Sequence, residues 1–156
     1  MSDGCHSPQQ LKDRIVQSCV HRDHDQFIAT ICEDDVCRLV SLYHNNDLCN
    51  FFKLPVRGSY NICYFIHFMS DNSNEDVEKW VVRVLLAPCL IYRNSNKLEN
   101  EIATMQLVHD KTTIPIPKIH AYSLSESYKP LLSFIILEYI KKQKPLYSQL
   151  RDLSDE

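Results

Sequence analysis

Three residues in this chain have types and spacing that suggest chemistry: Gly58, Arg83 and Glu101. Gly58 is one of two glycines, the other being Gly4. A chain so poor in glycine has few places where the backbone can turn freely or approach a ligand closely, so this one reads as positional. Arg83 is the one charged interior residue of the run Lys79-Trp-Val-Val-Arg-Val-Leu-Leu86. A cation in an apolar strand is costly to bury unless an anionic group meets it. Glu101 is a candidate anion, set beside the apolar stripe of a downstream helix. Glu99 is its rival, but two positions away it lies about 200° round the helix and points elsewhere.

The elements that must hold these residues follow from periodicity. Phe51-Phe-Lys-Leu-Pro-Val56 and Ile62-Cys-Tyr-Phe-Ile-His-Phe-Met69 read as strands on either side of the glycine turn. The polar spacer 70–76 leads to the strand of Arg83. Leu98, Ile102, Met105 and Val108 recur at helical spacing over Lys97–His109. Pro115 and Pro117 then hold the chain extended. Lys118–Leu124 returns as a strand, and the near-continuous apolar run Leu131–Ile140 predicts a strand buried on both faces. Upstream, Gln9–Val20 and Glu33–Tyr43 read as short amphipathic helices, with Asn45-Asn-Asp47 ending the second pattern.

This order, on its quoted residues, resembles the aminoglycoside phosphotransferase family, especially its fungal branch. The matching stretches are Gly58-Ser-Tyr-Asn61, Trp80-Val-Val-Arg83, Glu99-Asn-Glu101-Ile-Ala-Thr-Met105, Thr113-Ile-Pro-Ile-Pro-Lys-Ile-His-Ala-Tyr122 and Phe134-Ile-Ile-Leu-Glu-Tyr-Ile140. The resemblance covers roughly residues 50–147. It implies an α+β, protein-kinase-like N-lobe: about five mostly antiparallel strands, one main helix and short preceding helices. The division it implies is a helical segment over 1–49, a nucleotide-binding lobe over 50–147, and the opening of a second lobe over 148–156.

The resemblance also implies roles. The backbone of Gly58, Ser59, Tyr60 and Asn61 would lie over the phosphates of ATP, with magnesium as the attendant ion. Arg83 stands where kinases carry the lysine that reaches the phosphates and pairs with a helix carboxylate, here Glu101. Backbone groups near Glu138, Tyr139 and Ile140 would face the adenine. Each role has a plainer counterpart: a tight hairpin turn, an Arg–Glu pair that only locks helix to sheet, and an interior strand.

The family's H-G-D-x-x-x-x-N-like loop and its later magnesium-binding aspartate have no counterpart in the 156 residues. The expectation is therefore a truncated, phosphotransferase-like lobe, inactive by itself. The alternative is an ATP-binding subunit or accessory protein that acts with a partner chain on a small-molecule alcohol or amine. Apolar residues left without a second lobe predict self-association or a partner. His21-Arg-Asp23 spells the start of a kinase catalytic loop, but Ile28 stands where its asparagine belongs and the triplet precedes the glycine turn, so it reads as coincidence.

Composition narrows the rest. A hydrophobic fraction of 44% over 156 residues suits one globular domain. A net charge of −3 gives no general pull toward nucleic acid or anionic membrane. The absence of a membrane-length apolar run and of a secretory leader pattern predicts a cytoplasmic protein. Seven cysteines without a CxxC pair read as reduced thiols. Cys19, His21, His24, Cys32 and Cys37 could be drawn as a zinc site in a regulatory module, but their spacing fits no standard finger and no metal is expected.

Overall fold

In the computed structural model, residues 8–69, 77–86, 96–125 and 130–141 are described. They form an α+β fold of three helices and a five-stranded open sheet in which every pairing is antiparallel. In chain order the elements are α1 (Pro8–Ala29), α2 (Glu33–Leu42), β1 (Cys49–Arg57), β2 (Asn61–Phe68), β3 (Lys79–Leu85), α3 (Asn96–Lys111), β4 (Ile119–Ser123) and β5 (Phe134–Glu138). The sheet order is β1-β2-β3-β5-β4, with β3 in the middle.

Strand alternation splits the sheet into two differently covered faces. Ile62, Tyr64, Ile66 and Phe68 from β2 join Trp80, Val82 and Val84 from β3 and Phe134 and Ile136 from β5. Val36 and Val40 of α2, with Ile31 and the partly buried Phe27 and Ile28, close over this face. On the opposite face Leu98 and Ile102 of α3 pack on Ile135 and Leu137. The residues Phe134–Leu137 are all buried, as expected of a strand covered on both sides.

Several boundaries depart from the sequence reading. The first helix is not short: it runs 22 residues, to Ala29. The apolar pattern fades after Val20, yet no glycine or proline interrupts the polar stretch His21–Gln26, so the helix continues and carries the His21-Arg-Asp23 triplet on it. Strand β5 is shorter than its apolar run, because Leu131 adopts a left-handed φ of 62° and turns the chain before Phe134. Strand β1 runs through Pro55, which an edge strand tolerates at the register shift between Lys53 and Val56. Asn45 and Asn46 take φ of 51° and 63°, the left-handed conformation that asparagine accepts most readily after glycine. The expected second-lobe helix and the 70–76 spacer lie outside the described residues. No helix among the described residues is long and apolar enough to cross a membrane.

The single tryptophan anchors one end of the sheet. The Trp80 ring is stacked on His120 at 4.0 Å and meets Phe68 and His44 edge-on at 4.8 and 4.9 Å. Its indole N–H donates to Glu78 Oε1 at 2.8 Å, while His44 lies 3.1 Å from the other Glu78 oxygen and 2.9 Å from Asp47. Burial works to raise the Glu78 pKa, but the hydrogen bonds from His44 and Trp80 and the nearby histidines outweigh it and hold it low.

Two other histidines shift for a different reason. Burial lowers the pKa of His24, which is 3% exposed, and the Arg57 and His21 charges add to the effect. Burial likewise lowers His120, aided by Lys118, and its Nε2 is buried with no partner among the described residues. Both groups bind protons more readily unfolded, near pH 6.5, than folded. Their contribution is therefore complete above pH 6.5 and is lost as pH falls through the lower folded values. We expect the melting temperature to drop as pH is taken from 7.5 to 5.5, and the double variant His24→Gln, His120→Gln to flatten that slope in a thermal-denaturation series. An equal slope in the variant would assign the acid sensitivity to other groups.

Candidate functional site

The pleat of β3 sends Trp80, Val82 and Val84 into the core under α2 and turns Val81, Arg83 and Leu85 to the face that α3 partly covers. Arg83 lies opposite Cys63 on β2 and Ile135 on β5. Leu98 and Ile102 seat α3 on the sheet, and Glu101, adjacent on the same helix face, is delivered to the guanidinium. The contact is a bidentate fork: Nη1 donates to Oε1 at 2.7 Å and Nη2 to Oε2 at 3.0 Å. The hydrogen bonds to Glu101 raise the Arg83 pKa above its ordinary value, against the opposing effect of burial. Glu99 is exposed and takes no part.

The arginine has further capacity. Its Nε is buried and has no hydrogen-bond partner among the described residues. Because both terminal nitrogens also carry second protons, the fork leaves the guanidinium able to bind another oxygen ligand without releasing Glu101. The neighbouring Cys63 thiol is pushed up by burial, which outweighs the lowering effect of Arg83. It is a protonated thiol against the cation.

The glycine turn closes over this end of the sheet. Gly58 N–H donates to the Asn61 carbonyl at 2.8 Å, and Leu86 N–H donates to the Tyr60 carbonyl at 3.0 Å, tying the turn to the end of β3. Asn61 points its side-chain oxygen under Gly58 and lies 3.8 Å from Cys63 Sγ, so Gly58, Asn61, Cys63, Arg83 and Glu101 share one end of one face. Ser59 and Tyr60 form the exposed tip. Just before the turn, Arg57 binds the Asp25 carboxylate and lies 3.2 Å from His21 Nδ1, which fastens the turn to α1. Of the two uses of a glycine, free turning and close approach, the first does not apply, since Gly58 does not have positive φ. A Cβ there would meet the flexible Asn61 Oδ1 at 3.2 Å, so space under the turn, rather than backbone conformation, is what the glycine provides.

The 138–140 segment lies at the other end. Glu138 is opposite Trp80, whereas Ile135 is opposite Arg83, a separation of three residues or about 10 Å along the strand. Glu138 N–H donates to the Lys118 carbonyl and Tyr139 N–H to the Lys79 carbonyl, both at 2.9 Å, so these two amides are engaged within the sheet. Ile140 is exposed. The Tyr139 ring packs against Phe52 at 5.0 Å and Phe65 at 6.1 Å, with Lys53 Nζ 4.5 Å from the Phe65 ring and Lys79 Nζ 5.2 Å from that of Phe52. Phe52, Phe65 and Cys63 were not picked out from the sequence. Alternation from Arg83 marks its own strand, but placing Cys63 and Phe65 on the same face requires the cross-strand register.

No group of three or more metal-ligating side chains gathers among the described residues. Cys19 and Cys32 are exposed, His24 is buried, and Cys37 turns toward Cys49, with burial and that thiol pushing its pKa up to about 12. No protein-family model, curated protein or solved structure matches the chain.

Three substitutions test the site's mechanics. Glu101→Gln removes the charge that meets a half-buried cation, a change between the exposed and fully buried limits, and should cost about 1–3 kcal/mol in denaturant unfolding. Glu99→Gln should change stability by less than about 0.5 kcal/mol. Gly58→Ala should cost less than about 1 kcal/mol, because the side chain of Asn61 can move aside; a larger loss would show that the turn depends on glycine for its conformation.

Proposed function

We infer that this chain is a nucleotide-gripping lobe of the aminoglycoside-phosphotransferase type, related to ATP-dependent small-molecule kinases. The observation that carries the reading is the Arg83–Glu101 fork: a strand cation held by a helix carboxylate, with an unused Nε, directly below the glycine turn. In that reading Arg83 meets the phosphates while Glu101 holds its orientation, and the turn from Gly58 to Asn61 lies over them, with the Gly58 N–H itself given to the Asn61 carbonyl. The Phe52, Phe65 and Tyr139 rings, farther along the same face, offer an apolar surface to a planar base.

Transfer chemistry needs more than a grip. A phosphoryl group moves when an acceptor is positioned by a base and when metal ions neutralise the developing charge. The described face holds no free carboxylate set for either task, since Glu101 is committed to Arg83. The lobe binds and orients, and catalysis requires groups from outside these residues. Should a partner chain supply them, the pair would phosphorylate a small-molecule alcohol or amine. The partly uncovered aromatic face around Phe52 and Phe65 favours this second reading.

The test is thermal unfolding with and without magnesium-ATP. A ligand that binds only the folded state at a hundred times its Kd adds about 2.7 kcal/mol, or roughly 5–10 °C for a chain of this size. Arg83→Ala should lose that shift. A folded wild-type protein whose melting temperature ignores magnesium-ATP would overturn the nucleotide reading.

A further inference from the structure

The sheet ends at β4, which pairs with β5 on one side and has no strand on the other among the described residues. Half of its N–H and C=O groups therefore point away from the sheet, a template for one more strand. The opposite edge is guarded: β1 carries two register shifts and Pro55, features that discourage strand addition. The β4 edge has one irregularity, between Ile119 and Ala121.

Beside this edge lies a recess of about 420 Å³. Its lining takes Ile119 and Ala121 from β4, Met105 and Gln106 from α3, and Tyr43 just after α2; Ala121 packs toward the α2 side of the sheet and Ile119 toward the α3 side. Because α2 covers one face of the sheet and α3 the other, the recess centres on the free edge itself. Side chains from both sides of the sheet therefore flank the edge, and the outward groups of β4 are matched by the main chain of one extended segment. A helix, about 10 Å across, would leave the edge amides without partners. Lys118 lines the recess, exposed and with no ion pair among the described residues, and Asp110 is the recess's one lining carboxylate.

We propose that this groove takes an extended peptide segment of another protein as a sixth strand. The peptide main chain bonds to the outward groups of β4, a large apolar side chain enters the recess against Met105 and Ile119, and an acidic residue meets Lys118. This is strand addition, in which main-chain bonds supply affinity and the recess supplies specificity. It is independent of nucleotide and uses the edge remote from β1.

The experiment is selection of a displayed random peptide library on the full 156-residue chain, followed by fluorescence polarisation with the enriched peptides made synthetically. Expected winners alternate apolar or β-branched residues with polar ones and carry an acidic residue. Gln106→Trp, at an exposed helix position in the wall, should weaken them at least tenfold, and Leu107→Trp, on the same helix but not lining the recess, should leave them within twofold. N-methylation of alternate peptide amides should abolish binding in one of the two registers. Lys118→Glu should weaken acidic peptides at least threefold. A library that yields no binder, or binders indifferent to Gln106→Trp and to N-methylation, overturns the proposal. So does a chain that dimerises in sedimentation and becomes monomeric on Gln106→Trp, which would make the groove a contact between copies.

Discussion

The pleat of β3 is the constraint from which the rest follows. A strand at the centre of a sheet covered on both faces must distribute its side chains between two environments, and β3 does so with Trp80, Val82 and Val84 on one side and Val81, Arg83 and Leu85 on the other. The first set is apolar throughout and draws α2 and the end of α1 onto the sheet. The second set contains a guanidinium, so the helix that covers that face must bring a carboxylate with its leucine and isoleucine. Helix α3 meets both demands in one turn, through Leu98, Glu101 and Ile102. Removing the carboxylate would leave the same apolar contacts around an unmatched cation, which is why the pair sets the helix's rotation as well as its position.

Polar satisfaction is arranged differently at the two ends of the sheet. At the turn end, Arg57 reaches back to α1, and Arg83 reaches across to α3, so both outer layers are tied to the hairpin by arginine. At the other end, the indole of Trp80 is surrounded by rings, and one carboxylate, Glu78, serves both Trp80 and His44. The nitrogen of His120 that stacking leaves unbonded lies in this second cluster. The arginine end holds its unbonded donor, Arg83 Nε, buried beside an ion pair, whereas the tryptophan end holds an imidazole against aromatic carbon. The second arrangement makes the fold sensitive to acid.

Much of the architecture was legible because it depends on local pattern. Alternation identified β2 and β3, helical spacing placed α3 within two residues, and the long apolar run marked β5 as buried on both sides. Where local pattern and local conformation separate, the reading failed. Helix α1 continues past its apolar stripe because nothing stops the backbone, and β5 starts late because Leu131 turns without a glycine to announce it. Gly58 was read as positional, for turning or for close approach; its value is the space it leaves over Asn61, which is visible only once Asn61 is placed.

By itself, then, the sequence determined the strand that carries the cation and the helix that carries its carboxylate, because each is written in local pattern, while the α+β class was read from the order of the elements and the resemblance it carries. It could also rank Glu101 over Glu99 by angle alone. Only the tertiary structure decided that β3 is central, that Cys63 and Phe65 share the face of Arg83, that Nε has no partner among the described residues, and that the edge of β4 opens into a recess flanked by α3 and the end of α2. Those facts depend on strand order and register. Order and register are chosen by contacts between residues far apart in the chain, and no local period records them.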